Sequence, residues 1–243
     1  MVGFTPKNKT VLQRLETDVV HVWQLDLQYQ VNDEAASILS AEERAKVERL
    51  RAKEHRQFGL SMRMQLRLLL SRYIGVQPSD IAFSEGEFGK PYLINPPLFF
   101  NVSHTGSKAL VAISFIEEIG VDIEQFKVLD NREGIVKRHF TGEEKQAWLT
   151  ISETERKQVF FDIWTRKEAF IKATGRGLGL GLSRCGFSLT KPYDLLECPS
   201  DYGHHLEWAC MTIDIDSETS ASLILKGAHF EPVIFQFDPE NLP

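Results

Sequence analysis

The chain has 243 residues, 42% hydrophobic and 26% charged, enough for one large domain or two modest ones of ordinary globular composition. A net charge of −6 leaves no basic excess for a long phosphate footprint, which argues against nucleic acid or an anionic membrane as partner but leaves room for a compact anionic ligand. No apolar run nears the ~20 residues of a membrane span, no signal-peptide core opens the chain, and Cys185, Cys198 and Cys210 lack CxxC spacing, so the expectation is a cytoplasmic protein without disulfide framework or zinc site.

Residues 1–18 read as a loosely held arm, and VVHVWQLDL (19–27) alternates as a strand does. Ser40-Ala41-Glu42-Glu43 is a capping box opening a charged helix that runs to Lys53. A second helix, about 54–74, carries Phe58, Met62, Leu66, Leu69 and Tyr73 as a core stripe and stops at Gly75. IAFS (81–84) is a short strand and EGEFGKPY (85–92) a loop. LFF (98–100), a loop NVSHTGS (101–107) and KALVAISF (108–115) form a hairpin, followed by the strand IGVDIEQF (119–126). Thr141-Gly142-Glu143-Glu144 is a second capping box, starting a helix towards Ser152. The next helix turns Phe160, Ile163, Trp164, Phe170 and Ile171 to a core and ends at Gly175. Beyond it the glycines at 177, 179 and 181 leave backbone that a ligand could approach.

The two halves echo each other in order. Ser40 to Arg44 matches Thr141 to Lys145, the helix ending at Gly75 matches the one ending at Gly175, and Ala82-Phe83-Ser84 with Lys90-Pro91-Tyr92 matches Gly186-Phe187-Ser188 with Lys191-Pro192-Tyr193. The spacing is too long for a solenoid, so the expected fold is α+β, a duplicated pair of halves divided as 1–118 and 119–243 with a seam between them. Clefts favour such seams.

Candidate chemistry converges there. Strand periodicity puts Val121 and Ile123 on one face of 119–124 and Gly120, Asp122 and Glu124 on the other, away from the core. Two adjacent carboxylates are either solvated on an exposed edge or share a hard cation, Mg²⁺ where phosphates are involved. Glu168 and Lys172, four apart, share one flank of their helix, and Glu168 could supply a third oxygen. His104 with Ser103, and Lys90 between Gly89 and Pro91, are either phosphate contacts or ordinary polar loop residues. Lys167 falls within an apolar stripe, where it must snorkel or be used. Arg44, Lys46, Arg49, Arg51 and Lys53 read as a solvated face from which one cation could reach an anion.

The set Phe100-Asn101-Val102-Ser103-His104, Gly120-Val121-Asp122-Ile123-Glu124 and Trp164 to Gly175, with Gly89-Lys90-Pro91, resembles the larger, Sfp-type 4′-phosphopantetheinyl transferase family over most of the chain. The resemblance implies a pseudo-twofold α+β fold with the active site at the seam. It also implies Mg²⁺-dependent transfer of phosphopantetheine from coenzyme A to a serine of an apo acyl, peptidyl or aryl carrier protein. On it, Asp122, Glu124 and Glu168 are metal ligands in the second half, Lys172 meets the diphosphate and Glu168 is the base. Ser103, His104 and Lys90 contact coenzyme A, and Lys46 meets its 3′-phosphate. Glu43, Glu85 and Glu87 stand where some relatives carry cations. A duplicated chain supplies its own seam, so a monomer is expected. The rivals are a metal-dependent phosphodiesterase or nuclease, for which paired acids with a Glu and a Lys would also serve, and a non-catalytic coenzyme A or carrier-binding module.

Overall fold

The computed structural model describes residues 15–32, 36–94, 98–227 and 230–240, so most of the arm expected over residues 1–18 lies outside the described residues. The first strand is β1, Val19–Asp26. The capping box at Ser40 forms in both directions and opens α1, Ala41–Glu48. The helix expected to reach Lys53 stops short, because the chain breaks there and Arg56 takes up the freed carbonyls of Leu50 and Arg51 at 2.7 and 2.8 Å. Helix α2 then runs over Lys53–Ile74 and ends at Gly75, whose φ of +69° is the left-handed cap that glycine adopts without a Cβ clash.

After α2 come β2 (Phe83–Glu85) and β3 (Pro91–Leu93), then β4 (Phe99–Thr105), β5 (Lys108–Ser114) and β6 (Ile119–Gln125). The second half continues with α3 (Arg132–His139), α4 (Gly142–Trp148) and α5 (Glu153–Thr174). It closes with β7 (Gly186–Phe187), β8 (Leu195–Glu197), β9 (Trp208–Thr212), β10 (Thr219–Lys226) and β11 (Glu231–Gln236). Residues 101–107 are not the expected loop. Asn101 to Thr105 pair in full with β5, leaving only Gly106 and Ser107 as the turn. Their polar side chains suggested a loop, but they find partners across the seam. The helix opened by Thr141 ends at Trp148 rather than near Ser152, its last carbonyls being taken by the backbone of Leu149, Thr150 and Ile151.

The duplication is visible in the topology. One sheet runs β11-β1-β5-β4 and the other β6-β10-β9, so β1, β5 and β4 hold the places of β6, β10 and β9. Helices α2 and α5 are 22 residues each, with a constant offset of 100 in number. α2 packs on the first sheet through Leu69, Leu70 and Phe100, and α5 on the second through Phe160, Ile163, Phe170 and Ile224. Val20, Val22, Leu110, Val121, Ile123 and Leu223 fill the space between the sheets. The chain is thus layered helix, sheet, sheet, helix, with β11 returning to lie parallel to β1.

An ion pair between capping box and helix recurs in both halves, part-buried in the first and fully buried in the second. The capping-box Glu43 meets Arg67 of α2 at 2.8 Å, and the capping-box Glu144 meets Lys167 of α5 at 2.7 Å. Lys167 therefore neither snorkels nor serves a ligand. It is fully buried, donates also to the carbonyls of Leu182 and Cys185, and ties α5 to the chain that follows. Removing one partner of such a pair strands a buried charge and costs about 3–5 kcal/mol.

Helix α5 lies unusually close to β6. A Cβ built on Gly120 would stand 2.0 Å from the carbonyl oxygen of Ala169 and 2.5 Å from the nitrogen of Ala173, both backbone atoms that cannot swing aside. Gly120→Ala is therefore expected to destabilise the fold by roughly 3 kcal/mol, the upper end of overpacking costs. A shifted urea midpoint would show it, and an unchanged midpoint would refute the close approach.

Candidate active site

Because α5 presses on β6 at Gly120, Lys172, three residues beyond Ala169, comes down beside Asp122. Its ammonium donates to Asp122 Oδ1 at 2.7 Å, to Ser103 Oγ at 2.8 Å and to the Val121 carbonyl at 3.2 Å. Asp122 does lie off the sheet-to-sheet face, as its strand position predicts, but it does not reach solvent. Covered by α5, it is only 5% exposed. Burial raises its carboxyl pKa, with Lys172 and Ser103 opposing.

The edges of β4 and β6 lie side by side in separate sheets, and side chains bridge them. Asn101 Oδ1 accepts the Val121 N–H at 2.9 Å, and Ser103 Oγ donates to Asp122 Oδ1 at 2.8 Å. Thr105 Oγ1 accepts the Gln125 N–H at 3.2 Å and reaches Glu124 Oε2 at 3.5 Å. Glu124 also has Lys127 at 3.8 Å.

Glu168, one turn before Lys172, is half-buried. Desolvation, then the negative charge of Asp122, pushes its pKa up to about 7 despite Lys172. Glu124 is raised too, first by desolvation. Among the described residues no three His, Cys, Asp or Glu side chains already stand as a metal-holding group. The donor set nevertheless fits a hard divalent cation. All three groups offer oxygen, each carboxyl pKa is shifted towards a shortage of positive charge, and Asp122 Oδ2 is buried without a partner.

His104 stands at the solvent edge of β4. Desolvation, followed by the charges of Lys172 and Arg63, holds its pKa below the ordinary imidazole value, and His55 adds to the effect. His55 and Arg63, both on α2, bring basic side chains near the site that the sequence reading missed. Their signal there is slight, two basic residues about two turns apart on a helix read for its apolar stripe.

Lys90 lies at the other end of the seam. Its ammonium meets the carbonyls of Ile119 (3.1 Å), Glu117 (3.4 Å) and Ala173 (3.5 Å), and desolvation lowers its pKa to about 8. It lines a cleft of about 660 Å³ with Tyr92, Phe99 and Trp208. The structure does not bring Lys46 to this cluster but pairs it with Glu85 and Glu42 on an exposed face. Of the glycines after α5, Gly177 lies against the Phe88 side chain, which a Cβ there would touch at 3.1 Å.

Comparison with known proteins agrees with this geometry. The 4′-phosphopantetheinyl transferase superfamily matches residues 118–216, and the N-terminal domain described as 4′-phosphopantetheinyl transferase matches residues 26–115. The chain is 30% identical over 240 residues to the 4′-phosphopantetheinyl transferase HetI of Nostoc sp., covering 96% of each chain. It is 32% identical to the transferase ffp of Bacillus subtilis (78% of this chain, 83% of that one) and 35% identical to Sfp of Bacillus subtilis (64% and 69%). Among solved structures, the holo-[acyl-carrier-protein] synthase of Thermotoga maritima superposes with a TM-score of 0.37 at 20% identity, over 46% of this chain and 64% of that one, too loosely to carry an inference. The chain belongs to the 4′-phosphopantetheinyl transferase superfamily. It is an enzyme of that class, and the phosphodiesterase and binding-module alternatives gain no support.

The Glu168 shift fixes a pH dependence. A carboxyl raised from 4.5 to about 7 binds its proton more tightly in the folded state, so its contribution to stability is full below pH 4.5 and is lost as pH rises through 7. Without added metal, Glu168→Gln should gain on the wild type between pH 4.5 and 8 by on the order of 2 kcal/mol after allowance for partial exposure. Urea unfolding at the two pH values measures this, and parallel curves would contradict the shift.

Proposed function

We propose that the protein moves the 4′-phosphopantetheine group of coenzyme A onto a serine of an apo acyl, peptidyl or aryl carrier protein, releasing adenosine 3′,5′-bisphosphate. The observation that carries this reading is the seam cluster of Asp122, Lys172 and Ser103 with Glu124 and Glu168 beside it, in a chain of this superfamily. Asp122, Glu124 and Glu168 would hold Mg²⁺, which when bound offsets negative charge on the diphosphate. Lys172 grips the diphosphate and stabilises or protonates the departing bisphosphate. Glu168 accepts the proton of the carrier serine, directly or through water. His104, supported by His55 and Arg63, meets a phosphate, with Ser103, Lys90 and Lys46 as further coenzyme A contacts. Lys46 is the least supported of these, being held by Glu85 and Glu42.

The functional unit is taken as halves 1–118 and 119–243, with β11 lent back to the first sheet. We place it in the cytoplasm, in keeping with the free cysteines Cys185, Cys198 and Cys210; no helix among the described residues is long and apolar enough to cross a membrane. A monomer is expected because both sheets of the seam come from one chain. Sedimentation at micromolar concentration should give the mass of one chain, and an obligate dimer or trimer would contradict it.

Incubation with coenzyme A, Mg²⁺ and a panel of apo carriers, read by the mass of the carriers, tests the transfer. Chelator should abolish the mass gain and Mg²⁺ restore it, and Asp122→Ala should lower the rate by on the order of 100-fold or more while the protein stays folded. Full activity in excess EDTA would remove the metal from the reaction.

The carrier is proposed to dock on residues 126–140. Val136 and Phe140 of this segment belong to the core, but Val128 is 89% exposed and Lys137 and Arg138 project from the last turn of α3. A groove of about 400 Å³ runs from Lys127 to Glu133 beside Lys157 and Phe161. Carriers of this kind are acidic, so Lys137→Glu or Arg138→Glu should raise KM for the carrier about tenfold, with KM for coenzyme A unchanged. Wild-type carrier kinetics, or weakened coenzyme A binding, would rule the segment out.

A further inference from the structure

The Ser103 hydroxyl is already fully engaged within the protein. Lysine is only a donor and an ionised carboxylate only an acceptor. Between Lys172 at 2.8 Å and Asp122 Oδ1 at 2.8 Å, the hydroxyl must therefore accept from the ammonium and give its single proton to the carboxylate. No proton is left for a phosphate oxygen unless Asp122 is released. The residue is 7% exposed, so water does not compete for the bond.

The consequence falls on Asp122. Its Oδ1 is bound by both Ser103 and Lys172, while Oδ2 is buried with no partner. A buried carboxylate oxygen left unpaired costs about 1–3 kcal/mol or more, and a fold retains one where a ligand compensates for it. One oxygen is clamped and the other is held free in a fixed direction. Two residues along β4, on the same face, Thr105 stands in the same relation to Glu124, its hydroxyl 3.5 Å from Oε2 while also accepting the Gln125 N–H. Asn101, two residues earlier, pins the backbone of β6 at Val121.

We propose that β4 is a positioning strand for the carboxylates of β6: Ser103 orients Asp122 so that Oδ2 is presented to the cation, and Thr105 does the same, less firmly, for Glu124. Ser103 thereby acts on the cation through Asp122. The inference rests on the reading of Asp122, Glu124 and Glu168 as cation ligands.

The test measures binding rather than turnover. Mg²⁺ is titrated calorimetrically into protein saturated with coenzyme A, and coenzyme A is titrated separately into metal-free protein, for the wild type, Ser103→Ala, Ser103→Thr and Thr105→Val. Ser103→Ala should weaken Mg²⁺ by about 10–100-fold, the usual effect of losing a group that orients a metal ligand, and by more than it weakens metal-free coenzyme A. Ser103→Thr, which keeps the hydroxyl on a residue suited to a strand, should restore most of the Mg²⁺ affinity, and Thr105→Val should lower it a few-fold. Unchanged Mg²⁺ affinity in Ser103→Ala, or a loss of Mg²⁺ affinity no larger than its loss of metal-free coenzyme A affinity, would overturn the proposal. If Ser103→Ala does not fold, Ser103→Thr and Thr105→Val decide: wild-type Mg²⁺ affinity in Thr105→Val, or no Mg²⁺ binding by a folded Ser103→Thr, refutes it. A wild type that binds coenzyme A but no Mg²⁺ would sink the cation reading itself, and this inference with it.

Discussion

The site depends on the absence of one side chain. With no Cβ at Gly120, the backbone of α5 at Ala169 and Ala173 settles onto β6, and the residues flanking that contact, Glu168 and Lys172, arrive beside Asp122. A methyl group there would lift the helix and disturb the bonds of 2.8 and 2.7 Å that Lys172 makes to Ser103 and Asp122. The flank of the helix away from this contact is secured independently. Lys167, one residue from Glu168, is locked to Glu144 and to the carbonyls that follow α5. The helix is thus held by close backbone contact on one side and a buried ion pair on the other, which leaves Glu168 and Lys172 little freedom to drift.

The duplication shows which of these features belong to the fold and which to the chemistry. The ion pair between capping box and helix occurs twice, as Glu43 with Arg67 and as Glu144 with Lys167, so it is part of the scaffold. Glu43, which stands where some relatives carry a cation, is accounted for by that role. Val20 and Val22 fill the space between the sheets as Val121 and Ile123 do, so Asp122 and Glu124 take the places of His21 and Trp23 on the helix-facing side of β1, and at the helices' offset of 100 Glu168 takes that of Leu68. The first half therefore has no counterpart of the carboxylates. Instead it contributes His55, Arg63 and His104, so the two halves have divided the charges between them.

Much of this was legible from residue patterns. Both capping boxes, both long helices with their glycine caps, the duplicated order and the paired acids could all be read, because each rests on local chemistry or periodicity. The errors came where tertiary contacts override local signals. Asn101, Ser103 and Thr105 read as loop residues because polar side chains in a strand need partners, and those partners lie on β6, some twenty residues away and in another sheet. The burial of Asp122 was not legible, because an α5 packed within backbone contact of its strand is not visible in the periodicity of β6. Lys167 stayed ambiguous, although its counterpart at the offset of 100, Arg67, beside a matching capping box, held the answer.

The electrostatics of the seam explain why such a site is built between halves rather than within one. Three carboxyl groups crowd one ammonium, and Asp122, Glu124 and Glu168 all have raised pKa values, so the second half alone is short of positive charge. The first half brings basic groups instead: His104, whose pKa is lowered first by desolvation and then by Lys172 of the second half and Arg63 of its own, lies there with Arg63 and His55. Neither imbalance is relieved by closing the seam directly, since β4 and β6 belong to separate sheets and meet through side chains that mostly bind neutral groups. A ligand that brings both a hard cation and a diphosphate satisfies the two sides together, the cation against the carboxylates and the phosphates against the basic residues. Cation and nucleotide should then bind cooperatively, each reducing the charge imbalance that the other meets.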